Sequence, residues 1–219
     1  MRRTNRLASL ATLILAGAAA PLHATLLTIA QPGAAYTSST NLLPVTAAEL
    51  ANVSSVTDGI FTATFSELLQ VATVPDNWFS WGSPPAVENA TPRVLISPGT
   101  TSTLLTITFS QPVTLFGLEA MPDGFGPEPM TENFYNGANN IGSIQLTPDG
   151  SAGALLFAAS STIPITSIDI TTTANPLENG TDFAVAELRY ALVAPEPNTW
   201  IALAAGLGII GWSRRRKLG

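Results

Sequence analysis

Apolar and polar residues alternate with period two in one short run after another between residues 25 and 193, as in strands that turn one face to a core. Thr103 to Ser110 is the clearest run, with Leu105, Ile107 and Phe109 on one face and Thr106 and Thr108 on the other. Gln111-Pro112 is expected to end that strand, and Val113 to Ala120 to begin its neighbour. Met130 to Tyr135, Ile141 to Leu146, Ala154 to Ala159 and Ile165 to Thr172 follow, with turn signals at Asn136-Gly137, Pro148-Asp149-Gly150 and Asn179-Gly180. The last run, Asp182 to Val193, changes phase: Phe183 and Val185 are odd-numbered, Leu188, Tyr190 and Leu192 even. One residue must be absorbed near Ala186 or Glu187, most simply by a β-bulge. Fainter strands are expected at Leu26 to Ala30, Ile60 to Phe65, Asn77 to Trp81 and Arg93 to Ile96, and no segment between 25 and 193 reads as a helix. Roughly nine to eleven short strands predict an all-β, two-sheet β-sandwich of jelly-roll type, and a chain of this length can bury its core.

The pattern changes at both ends. Residues 1–24 carry a basic start (Arg2, Arg3, Arg6), an apolar stretch from Leu7 to Ala20 and a small residue, Ala24, suited to signal peptidase. They are expected to form a signal helix that is removed, which leaves a 25–193 ectodomain and a 194–219 tail. The tail reads Pro195-Glu196-Pro197, an apolar stretch bordered by Trp200 and Trp212, then Arg214, Arg215, Arg216 and Lys217. The prolines keep their segment extended. The apolar stretch predicts a helix of roughly 20 Å, short for a bilayer core of about 30 Å. The basic cluster is expected to act as a cytoplasmic stop, leaving the rest of the chain outside.

Three parts in this order resemble the PEP-CTERM sorting signal of Gram-negative bacteria. The resemblance implies handling by an exosortase, a membrane cysteine protease or transpeptidase, with Pro195, Glu196 and Pro197 as its recognition motif and no catalytic role for them. It also implies an inner-membrane-tethered intermediate that ends at the cell surface or outside the cell. Phe109 to Glu119, Asn133 to Gly137 and Asp182 to Tyr190 are similar to segments of ectodomains found ahead of such tails; that likeness implies a β-sandwich and no assigned activity.

Charge and composition narrow the function classes. Nine Lys+Arg stand against fifteen Asp+Glu, but only Arg93 and Arg189 lie between the two ends, so the middle carries two cations against fifteen anions. Such a domain repels phosphate backbones, and nucleic acid is not an expected partner. There is no cysteine, and the single histidine, His23, lies beside the expected cleavage site. Serine or cysteine nucleophiles paired with histidine, and zinc held by His or Cys, are therefore excluded from the ectodomain. Glu119, Asp123, Glu128 and Glu132 cluster along a Gly/Pro-rich stretch and are candidate calcium ligands; no other cofactor is expected. Trp78 and Trp81, in Trp-Phe-Ser-Trp, are candidate sugar-stacking residues. The expected function is a non-enzymatic surface or exopolysaccharide-associated structural protein of the envelope or biofilm matrix. The alternatives are a carbohydrate-binding module for exopolysaccharide and a secreted glycoside hydrolase using paired carboxylates.

Overall fold

The structure, a computed structural model, describes residues 25–97, 103–172 and 183–193. The expected signal helix, the sorting tail with its Pro195-Glu196-Pro197 motif, the basic stop and the Asn179-Gly180 turn lie outside these residues. The elements are β1 (Leu26–Thr28), α1 (Ala34–Ser39), β2 (Asn41–Leu42), β3 (Asn52–Thr57), β4 (Thr62–Thr73), β5 (Arg93–Ile96), β6 (Leu104–Pro122), β7 (Met130–Asn136), β8 (Asn139–Leu146), β9 (Leu155–Thr172) and β10 (Phe183–Leu192). All strand pairs are antiparallel, and the chain is all-β as expected.

Long strands bend from one layer of a sandwich into the other. The first half of β6 pairs with the first half of β4 and the last part of β9, and β9 there pairs with β7, which pairs with β8. The second half of β6 pairs instead with β10 and the first part of β9, while β5 bridges β10 to the second half of β4. Side chains of both layers meet in one core: Phe61 stacks on Tyr190 with ring centroids 4.1 Å apart, and Phe109 lies 4.5 Å from Phe116. The bend on β6 falls at Gln111-Pro112, where the register with β9 shifts between Thr108 and Val113. The apolar phase shifts with it, from Leu105, Ile107 and Phe109 to Phe116, Leu118 and Ala120.

Gln111-Pro112 therefore does not separate two strands. The bulge absorbs the proline's missing donor, and the chain pairs onward as a single element. Ala154 to Ala159 and Ile165 to Thr172 likewise belong to one strand, β9. Asn77 to Trp81 is turn and coil rather than strand, and α1, β3 and the second half of β4 were not anticipated. The bulge in the last strand is where the phase change put it: the β10–β6 register shifts between Ala186 and Arg189, and Glu187 adopts a left-handed φ of 49°. Among the described residues no helix is long and apolar enough to cross a membrane.

Candidate functional site

The outer face of the second layer is covered by α1 and by the connection from Val74 to Pro92. Met121, Ala184 and Ala186 of the sheet pack under Val74, Trp78, Trp81 and Val87 of that connection, while Tyr36 of α1 packs on Leu115, Leu156 and Ala158. Several polar groups trapped beneath this cover are paired, whereas the buried Tyr36 hydroxyl has no hydrogen-bond partner among the described residues. Trp81 Nε1 donates to Glu119 Oε2 at 2.7 Å and the Glu88 amide to Glu119 Oε1 at 2.5 Å. The Glu88 carboxylate accepts two bonds from Arg189, Nε at 2.6 Å and Nη2 at 2.5 Å. Arg189 Nη1 also donates to the carbonyls of Thr37 and Thr40, at 3.2 and 3.3 Å, which end α1 without intrahelical partners. Burial pushes Glu119 up to about 7 despite its two donors. Burial works against the Arg189 charge too, but the Glu88 hydrogen bond and charge, with Tyr36 and Glu187, together outweigh it and raise the guanidinium further. This network fastens the cover to the sheet.

At one edge of the cover a hollow of about 330 Å³ opens between residues 75–80, residues 121–125 and Gly150. Its walls are fixed by backbone. The Asn77 amide donates to Thr73 O at 3.0 Å, and Asn77 Nδ2 to Glu49 Oε1 at 2.9 Å. Across the hollow the Gly150 amide donates to Gly126 O at 3.1 Å. Gly150 sits so close to the neighbouring loop that a Cβ there would lie 1.9 Å from Gly124 O. Two aromatic side chains project from these walls into solvent: Phe79, 89% exposed, and Phe125, 81% exposed. Asp76, Asn77 and Asp123 are exposed beside them. Two further lining residues, Trp78 and Ser80, hold buried polar atoms, Nε1 and Oγ, with no hydrogen-bond partner among the described residues.

The stacking candidates thus change places with their neighbour. Trp78 and Trp81 are 7% and 1% exposed, and their rings serve as anchors that hold Phe79 outward. The four proposed calcium ligands do not converge. Glu119 is held under the cover, and Glu128 accepts a bond from Thr172 Oγ1. Asp123 lines the hollow. Glu132 lies between Met130 and Phe134 on the core face of β7, fully buried, with neither carboxylate oxygen bonded among the described residues. Burial alone raises its carboxyl well above the usual range, because the charged form is the one that loses solvation there. Among the described residues no three His, Cys, Asp or Glu side chains are grouped to hold a metal ion. Phe79 was missed because alternation in Trp-Phe-Ser-Trp says which rings oppose each other but not which side is buried, and Phe125 because it stands in a Gly/Pro-rich stretch with no alternation to read.

Residues 193–217 match the family model of the PEP-CTERM protein-sorting motif, so the chain carries that motif directly after β10. The motif implies export and processing by an exosortase, a membrane protein. No curated protein matches the sequence. Among solved structures, the chain is similar to an arabinose-bound α-L-arabinofuranosidase at 11% identity and TM-score 0.34, over 74% of this chain and 24% of that one. It therefore spans about a quarter of that enzyme's length. It is also similar to a mutant family 29 carbohydrate-binding module (9% identity, TM-score 0.32, 69% of this chain and 90% of that one). A family 11 carbohydrate-binding module of a Clostridium thermocellum cellulase shows 12% identity and TM-score 0.29, over 69% of this chain and 100% of that one. At this level of identity and overlap the likenesses identify neither ligand nor activity.

Proposed function

We propose that this exosortase-sorted chain delivers a non-enzymatic β-sandwich to the cell surface, where it serves as a structural protein associated with exopolysaccharide. The observation that carries this reading is the join between the domain and the sorting motif. β10 ends at Leu192 and the motif begins at residue 193, so the motif follows a strand hydrogen-bonded on both sides, to β6 on one and to β2 and β5 on the other. Every described strand precedes the motif, so a cut beyond the Pro-Glu-Pro segment leaves all pairings among the described residues, and the core they enclose, in the released domain. In this reading signal peptidase removes residues 1–24, the apolar stretch and basic stop hold the chain for processing, and the product lies at the surface or in the matrix of a Gram-negative cell.

Deleting the protein tests the structural role. Cells lacking it are expected to form biofilm or flocs that disperse at lower shear, with recovery when the full-length chain is restored. Unchanged cohesion in the deletion strain contradicts the role.

A further inference from the structure

We infer that the hollow between residues 75–80 and 121–125 is a binding site for a neutral saccharide unit of a polysaccharide, with Phe79 and Phe125 as its contact rings; this rests on the exopolysaccharide-associated reading above. The hollow's about 330 Å³ falls in the lower part of the range of small-ligand sites. Two exposed rings on one rim are costly to leave in water unless they meet an apolar surface, and a pyranose offers one in the C–H groups of its ring face.

The polar lining selects among ligands. The exposed carboxylates of Asp76 and Asp123 accept hydrogen bonds when ionised, and the exposed Asn77 adds an amide oxygen. An anion is repelled, because no Lys, Arg or His occurs among the described residues lining the hollow. Sugar hydroxyls donate to these acceptors while the C–H face of the same ring meets Phe79 and Phe125, so a neutral polyol satisfies both the polar and the apolar parts of the lining. The bonds that hold Asn77 and Gly150 leave little of these walls to be ordered on binding, which lowers its entropic cost.

The native protein, recovered from the producing cells, tests this by affinity electrophoresis in gels containing the cells' own exopolysaccharide, or neutral β-glucan, xylan or galactan. The expected result is retention by at least one polymer, weakened about tenfold or more by Phe79→Ala and by Phe125→Ala. Ile60→Ser, a change at an exposed apolar residue outside the hollow, should leave retention unchanged. Because both phenylalanines are exposed, the variants should melt with the wild type, which separates lost binding from lost folding. Trp78 gives a second readout: the saturating polymer should shift tryptophan emission in the wild type and not in Phe79→Ala. No retention on any polymer, or equal retention by the phenylalanine variants, overturns the assignment. So does a concentration-dependent dimer that the same variants abolish, since the rings would then serve self-association. Failure here leaves surface delivery and cohesion intact, whereas failure of those leaves binding in the gel unaffected.

Discussion

Single residues show where this sandwich is close to its limits. Gly117, on the outer face of β6, lies so near the cover that a Cβ there would meet Ala158 Cβ at 2.3 Å and the Tyr36 hydroxyl at 2.6 Å. Gly117→Ala must displace α1 or separate β6 from β9, and it is expected to cost about 1–3 kcal/mol, read as a lower melting temperature. Glu132 makes the opposite prediction. An unpartnered carboxyl in the core costs about 1–3 kcal/mol, and Glu132→Met should recover much of it, raising the melting temperature by about 2–4 °C per kcal/mol. The pH dependence has a definite sign. The folded-state values of Glu132 and Glu119 are raised, Glu119 to about 7, so their contribution is full below the unfolded carboxyl range and is lost as pH rises. Glu49 and Asp58 act oppositely at the acid end. The hydroxyl of Thr73 lowers Glu49, and hydrogen bonds led by that of Tyr190 outweigh burial to lower Asp58. Melting temperature is therefore expected to fall from about pH 5 to pH 8, less steeply in Glu132→Met. An equal slope in the variant would remove Glu132 from the account.

At the scale of elements, bulges do the work that the sequence assigns to strand ends. The bulge at Ala186–Arg189 lets Phe183 and Val185 share a core face with Leu188 and Tyr190. Glu187→Pro, which cannot adopt the left-handed φ of 49°, should remove the bulge, turn Leu188 and Tyr190 to the outer face and abolish cooperative melting. That bulge was legible because both flanks keep strict alternation on opposite parities. The β6 bulge was not, because Gln-Pro is also a strand terminator, and only the pairing with β9 distinguishes the two. Asn77 to Trp81 resembles a strand by aromatic content alone. Its large rings are buried as anchors in a turn instead, under constraints from Glu49 and Glu119 that lie far off in sequence. The Trp81–Glu119 bond makes this testable: Trp81→Phe should leave β-sheet content unchanged while loosening residues 74–92, read as faster amide exchange there.

For the whole molecule, the two ends and the domain between them divide the labour. The sorting tail was legible because an address is a linear string, whereas the domain's contact surface depends on which side of a loop faces out. Phe79 and Phe125 lie 46 residues apart in number and line one hollow only through the packing of the cover on the second layer. Processing of the chain as a sorting substrate is the step on which its delivery depends. Its most direct test is the intact mass and both terminal sequences of the native protein from fractionated cells and medium. The expected product is a chain lacking residues 1–24 and everything beyond the Pro195-Glu196-Pro197 region, found at the surface or in the medium. A chain still ending at Gly219 in the inner membrane would contradict such processing.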